Sequence, residues 1–230
     1  MDQKWLGTIV KLRFFEGIDP GELSGMLGCL KPRIVHYKKK EYLAFAGDVA
    51  EAIGFVLAGT AAVVKENAAG NRTMMTTLHP GDMFGEMVAF CGKPRWPANV
   101  HALTPCTVIF LPRDKIIASC ERACGGHRRL IMNLLTIISE KALLLNRKVE
   151  YLSIRSLRGK IVAFLLEQQR RTGETMFMLP LKRNELADFL GVSRPAVSRE
   201  LGRMRDEGLI EFYQSSVRII DLEGLRGMAE

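Results

Sequence analysis

The alternation of apolar and polar positions divides the chain into stretches of different texture. From the N-terminus to about Lys31, apolar residues recur at helical spacing around Trp5 to Phe15 and around Pro20 to Leu30, which predicts two short amphipathic helices. From Pro32 to Pro112 the texture changes to short β-rich runs, RIVHY, AIGFVLAG, AAVVKE, MMTTL, NVHAL and CTVIFL, separated by the turn signals GD, AAGN, PGD and GKP. Many short strands at this spacing predict a sandwich or jelly-roll barrel. A long helical pattern follows, in which Ile131, Leu135, Ile138, Ala142, Leu145, Val149 and Leu152 alternate steps of four and three and form an apolar seam of period 3.5. Beyond Ser156, LRGKIVAFLLEQQRR predicts one more amphipathic helix.

The segment from Leu181 to Ile210, LKRNELADFLGVSRPAVSRELGRMRDEGLI, fits two short helices meeting at a sharp turn. Leu186 and Leu190 share one helical face, Ala187 is small where a second helix can cross closely, and Gly191 suits the left-handed conformation that ends a helix. Ser193 is placed to cap the next helix through its hydroxyl, and Pro195 sits in the first turn, where a missing N–H costs nothing. With Val197, Leu201 and Met204 turned inward, Pro195, Ser198, Arg199 and Gly202 face outward and Arg194 lies on the flank. Arginine can donate twice to guanine, serine can bond bases or phosphates, and glycine keeps the helix slim, so this face suits a DNA major groove. Lys182 and Arg183, at the start of the first helix, are further candidates for contact with DNA. After Gly208, LIEFYQSSVRIID alternates around a polar break at Gln214 to Ser216 and predicts a two-stranded wing.

Composition fits a soluble globular protein, with 47% apolar and 25% charged residues in 230. The start, MDQKWLGTIVKL, lacks a signal-peptide pattern, and no apolar run is long enough to span a bilayer, so a cytoplasmic protein without a membrane partner is expected. The net charge of +8 invites a nucleic acid, yet from Ser156 onward 12 basic residues stand against 11 acidic ones; the local placement of arginines therefore matters more than the total. Five cysteines, Cys29, Cys91, Cys106, Cys120 and Cys124, are an odd number and are expected to be reduced. Cys120 and Cys124, four apart, make at most an incomplete zinc site, so no metal site is assigned. No nucleophile–base pairing, G-x4-GK[ST] loop or HExxH motif points to an enzyme.

Two motifs, HPGDMFGEMVAF in the first half and LADFLGVSRPAVSRELGRM in the second, together with the order of barrel, long helix and winged helix, resemble the CRP/FNR family of bacterial transcription regulators. The resemblance runs from about Phe14 to Ile220. It implies an α+β chain with a cyclic-nucleotide-binding-like jelly-roll sensor over residues 1–125, a dimerisation helix over 126–155 and a winged helix-turn-helix DNA-binding domain over 156–230. It also implies a hinge near Ser156, a homodimer on a near-palindromic double-stranded site, RNA polymerase as partner if the protein activates, and allosteric control by a small effector. The seam can pack either on this chain's own barrel or on a second copy, and a homodimer is expected because pairing lengthens the DNA site.

Matching motif positions makes Ser198 and Arg199 base-reading residues and Arg194 a phosphate or base contact, while Pro195 replaces a position that is often acidic. In the sensor, Gly85 and Glu86 match the pair that cyclic-nucleotide binders of the family present. The Arg and small hydroxyl residue that hold the cyclic phosphate are replaced by Trp96 and Pro97. Arg95 is one residue early, which in a strand faces the other way, unless a one-residue bulge returns it to the pocket as a phosphate ligand. The hydroxyl pair that meets adenine falls on Leu145 and Asn146. Cyclic AMP is therefore not the expected effector; an aromatic or weakly charged molecule is, with Glu86 and Asn99 as polar anchors. The closely spaced N-terminal cysteines of iron–sulfur members are missing. His36, His79, His101 and His127 show no His-x3-His spacing, and haem has no support. A signalling module whose winged helix serves protein contacts is the competing reading, opposed by Arg194 and Arg199.

Overall fold

A computed structural model describes residues 3–67, 72–118 and 125–228. These fall into two units, Met1–Glu140 and Lys141–Glu230. The first opens with a 3-10 turn at Gln3–Trp5, α1 (Leu6–Ile9), a second 3-10 turn at Arg13–Phe15 and α2 (Pro20–Leu30). The single helix predicted around Trp5 to Phe15 is thus broken. Leu12 adopts φ −68° and ψ 130°, and the chain turns Phe14 and Phe15 into the core, where each is 1% exposed. Burial of two rings outweighs the helical preference of a few residues. In α2, by contrast, Asp19 accepts from the N–H groups of Gly21 and Glu22, Pro20 occupies the first turn, and Lys31 ends the helix in the left-handed region.

The barrel follows as β1 (Arg33–Tyr37), β2 (Tyr42–Ala44), β3 (Ala52–Ala58), β4 (Ala61–Glu66), β5 (Arg72–Leu78), β6 (Met83–Phe84), α3 (Glu86–Ala89), β7 (Asn99–Ala102), β8 (Cys106–Pro112) and α4 (Arg113–Ile117). Two antiparallel four-stranded sheets form, ordered β1-β8-β3-β6 and β2-β7-β4-β5. Strands β3 and β8 are apolar at nearly every position because both faces are covered. Ile53, Phe55, Ile109 and Leu111 meet the helices, while Val56, Val108 and Phe110 fill the space between the sheets with Leu43, Leu78, Phe84 and Val100. The strands β2 and β6 were not predicted; at three and two residues they are too short to show alternation. The AAGN turn lies outside the described residues.

Helix α5 (Gly125–Ser153) begins on this core. The Glu22 carboxylate accepts from the Gly126 N–H at 2.5 Å, and the Asn133 amide donates to the carbonyls of Phe14 and Glu16. Leu130, Leu134 and Ile137 are the buried stripe. That stripe lies one residue ahead of the predicted seam. Ile131 and Ile138 of the seam are half-buried and Ala142 is exposed, while Leu135, Leu145, Val149 and Leu152 are 45–64% exposed.

The second unit continues with α6 (Leu157–Thr172), β9 (Met176–Met178), α7 (Arg183–Leu190), α8 (Arg194–Asp206), β10 (Ile210–Tyr213), β11 (Ser216–Ile219) and α9 (Leu222–Gly227). Its core gathers Leu186, Ala187, Leu190, Val197, Leu201 and Met204 from the two helices with Phe177, Val217 and Ile219 from the sheet. Strands β10 and β11 pair Tyr213 with Ser216 across a turn at Gln214 and Ser215. The wing is not two-stranded as expected: β9 adds a third strand alongside β11, its MFM run being too short to declare itself in the sequence.

Candidate nucleic-acid interface and sensor site

The turn between α7 and α8 is fixed by backbone geometry. Gly191 ends α7 at φ 67°, where a side chain would be strained and a Cβ would lie 2.9 Å from Leu152. The Val192 N–H donates back to the Ala187 carbonyl at 3.0 Å. Ser193 occupies the N-cap position with φ −78° and ψ 145°, but its hydroxyl makes no cap bond; its carbonyl instead accepts from Ala196 and Val197. The expected side-chain cap is therefore a backbone one.

Val197, Leu201 and Met204 of α8 are buried, at most 1% exposed. Arg194, Pro195, Ser198 and Arg199 are exposed together, with Gly202 half-buried beside them. Lys182 is exposed, and its N–H donates to the Glu185 carboxylate at 2.7 Å. Arg183 is half-buried, its guanidinium 4.6 Å from the centre of the Phe212 ring, with Arg205 5.6 Å from the same ring. Burial and, second to it, the Arg194 charge push the Arg183 pKa down.

In the barrel, Gly85 has φ 85° and starts α3. A Cβ there would lie 2.6 Å from the Trp96 ring. That indole is half-buried and packs against Phe84 at 5.9 Å between centroids. Glu86 is 4% exposed. Arg95 is exposed; it bridges Val49 and its guanidinium donates to the Gly47 carbonyl at 2.7 Å. Pro97 is exposed and Asn99 half-buried, the Asn99 side-chain oxygen accepting from the Ala46 N–H at 2.8 Å. Gly85 and Trp96 therefore meet, while Arg95 and Pro97 are exposed. Leu145 and Asn146 belong to the part of α5 in the second unit, where both are exposed and Asn146 donates to Glu150 at 2.7 Å.

The histidines are engaged structurally or lie in strands and turns. His36 bonds Thr107, and His127 is buried against the Ile116 carbonyl. Cys29, Cys91 and Cys106 carry free thiols; Cys120 and Cys124 lie outside the described residues. Among the described residues no three His, Cys, Asp or Glu side chains are grouped to hold a metal ion, and no helix is long and apolar enough to cross a membrane.

Residues 34–123 match the family model of the cyclic nucleotide-binding domain, and residues 159–228 that of the Crp-like helix-turn-helix domain. The chain belongs to the CRP/FNR family of transcription regulators. It is similar to the cyclic AMP receptor protein of Thermus thermophilus, 24% identical over 206 residues that cover 89% of this chain and 91% of the relative. It is also similar to the global nitrogen regulator of Nostoc sp., 24% identical over 198 residues, 84% of this chain and 87% of the relative. Its fold is that of the catabolite activator protein from Thermus thermophilus, with a TM-score of 0.52, 23% identity and coverage of 94% of this chain and 98% of that one. A CooA mutant from Carboxydothermus hydrogenoformans gives 0.53, 20%, 88% and 90%. As a CRP/FNR protein it is a DNA-binding regulator with a cyclic-nucleotide-binding-like sensor, not an enzyme.

One part of the DNA-binding unit of this CRP/FNR protein was not foreseen. Arg158, two residues beyond the cap of α6, donates to Glu200 at 2.6 Å and to both oxygens of Glu207 at 2.6 and 2.7 Å, fastening α8 to α6. The signal was present: Glu200 interrupts the inward series Val197, Leu201, Met204, and a carboxylate in that register demands a cation.

Proposed function

We propose that this CRP/FNR regulator is a homodimer that reads a near-palindromic double-stranded site through paired α8 helices and answers to a small effector other than a cyclic nucleotide. The observation that carries the effector reading is the Trp96 indole lying against Gly85. A cyclic phosphate buried in a barrel needs a cationic, preferably bidentate partner. These residues do not fit it: an indole lies over the cradle, and Arg95, the guanidinium beside the phosphate register, is exposed and donates to a backbone carbonyl. An aromatic or weakly charged molecule suits such an apolar surface, with Glu86 and Asn99 as polar anchors.

Two further features support the remaining parts. The seam residues Leu135, Leu145, Val149 and Leu152 stay exposed after a neighbouring stripe of α5 has packed on the barrel, which favours a second copy as their cover. Arg194, Ser198 and Arg199 form a cationic face on α8, with Arg183 and Lys182 at the flank for phosphates. Such a protein works in the cytoplasm, and RNA polymerase is its second partner where it activates. The test is calorimetry with cyclic AMP and cyclic GMP beside anisotropy on DNA selected from a random pool. No heat with either nucleotide and a two-fold symmetric selected site are expected. Micromolar nucleotide binding that disappears in Arg95→Ala would overturn the effector reading.

A further inference from the structure

Within the second unit, the elbow where α5 gives way to α6 encloses a cleft of about 390 Å³. One wall is the last face of α5, with Arg147, Glu150 and Tyr151, and Ile154 just beyond its end; the other is Ala163, Glu167 and Arg170 of α6, four and three residues apart. The floor is rigid: Tyr151 is 6% exposed and its ring packs on Phe189 at 5.2 Å and Phe164 at 6.1 Å. The inner charges are already matched. Glu167 accepts from the Tyr151 hydroxyl and pairs with Arg147 at 3.3 Å.

The outer charges are not matched. Glu150 accepts only from the Asn146 amide, and among the described residues neither Glu150 nor Arg170 makes an ion pair. Yet they line opposite walls of one cleft. Burial first, then Glu167, push the Tyr151 pKa up, and the charges of Arg147 and Arg170 act against that push. A bare anion in this cleft would face Glu150 and Glu167, and a bare cation would face two arginines. A bipolar molecule with an apolar body meets neither penalty: its poles reach the unmatched pair, and its body rests on Ile154, Ala163 and the Tyr151 ring. The volume falls within the range of small-molecule sites, roughly 300–1,000 Å³.

We propose that the elbow cleft is a binding site for a small zwitterion, an α-amino acid with an apolar side chain, its carboxylate on Arg170 and its ammonium on Glu150. Because one wall lies before the Ser153 end of α5 and the other beyond the Ser156 cap of α6, the occupant holds the elbow at one angle. That consequence for DNA binding rests on the effector-controlled reading above, whereas occupancy itself does not.

Methyl-labelled full-length protein titrated with L-phenylalanine tests it. Saturable shifts of the Ile154 and Ala163 methyls are expected. 3-Phenylpropionate, lacking the ammonium, and phenethylamine, lacking the carboxylate, should each bind about tenfold more weakly or worse, as loss of one charge-assisted hydrogen bond implies. Arg170→Gln and Glu150→Gln should weaken L-phenylalanine by a similar factor; both side chains are exposed, so neither change threatens the fold. Absence of methyl shifts in a protein that still binds its selected DNA removes the site and leaves the regulator standing. Equal binding of 3-phenylpropionate and L-phenylalanine overturns the zwitterion. Normal L-phenylalanine binding in a protein with no selectable DNA site would count against the regulator reading instead.

Discussion

Removing the Arg158 guanidinium tests how the recognition helix is held. It makes three hydrogen bonds of 2.6–2.7 Å, and the partners differ in environment: the Glu200 side chain is 11% exposed, that of Glu207 44% and that of Arg158 itself 31%. Breaking a buried pair from one side costs about 3–5 kcal/mol, and an exposed pair is worth about 0.2–1 kcal/mol. Arg203 reaches Glu200 at 3.4 Å, so the carboxylate is not wholly abandoned. Between these limits Arg158→Ala should lower the stability of the second unit by about 2 kcal/mol, roughly a 30-fold rise in its open population. Hydrogen exchange of the α8 amides by mass spectrometry reads this directly, and Glu207→Gln should give a smaller effect. If Arg158→Ala speeds exchange by less than about threefold, the cluster is no more than a solvated surface arrangement. Replacing Arg158 and Glu200 together by Met and Leu should recover most of the loss, because the buried charge goes with its partner. The Arg158 hydrogen bonds, first among the causes, hold the Glu207 carboxyl below its ordinary pKa. Its contribution is therefore present above the usual carboxylate range and fades as pH falls through the depressed value, so the protection of the α8 amides, measured relative to the intrinsic exchange rate at each pH, should fall in acid and not in base.

Three other outcomes are expected. Arg199→Ala should lose about 1–3 kcal/mol on the selected site and relax preference at one base pair of each half-site in anisotropy competition; an equal loss on all sequences would make Arg199 a phosphate contact. Leu145→Lys, placing an ammonium in the exposed seam, should shift sedimentation from dimer to monomer, and a variant that stays dimeric would place the interface elsewhere. Gly85→Ala sets a methyl 2.6 Å from the Trp96 ring at φ 85° and should cost the sensor unit about 2 kcal/mol in thermal unfolding, less when Trp96 is also Ala; strict additivity would mean that the indole does not press on the cradle.

Periodicity revealed what is long and amphipathic. The strands from RIVHY to CTVIFL, the helix Pro20–Leu30 and the helix pair around Gly191 were all legible because several consecutive residues repeat one burial pattern. What stayed hidden depends on partners distant in sequence. The break at Leu12 exists because Phe14 and Phe15 dock on Phe55 and the helices. Strands β2, β6 and β9 exist because longer neighbours offer an edge. In α5 two apolar stripes run side by side, and only the tertiary fold distinguishes Leu130, Leu134 and Ile137, which the barrel takes, from the seam it leaves. At the candidate sites, residue type and spacing pointed to the exposed face of α8, whereas Gly85 and Trp96 were singled out by the resemblance, and their contact appears only in the fold. The stack of Arg183 on Phe212 was not legible, because it joins residues that the sequence holds far apart.

The sequence contains two tryptophans, Trp5 and Trp96, both within Met1–Glu140. Intrinsic indole emission from this regulator is accordingly blind to the DNA-binding unit, whose aromatic residues are phenylalanines and tyrosines. Trp96, half-buried over Gly85, is an optical label that the protein carries within the cyclic-nucleotide-binding-like domain, and Trp96→Phe isolates its share of the signal. The spectrum of the unmodified protein can thus report on the sensor while anisotropy of labelled DNA reports on α8, so that the two ends of any allosteric transition can be timed separately in one cuvette.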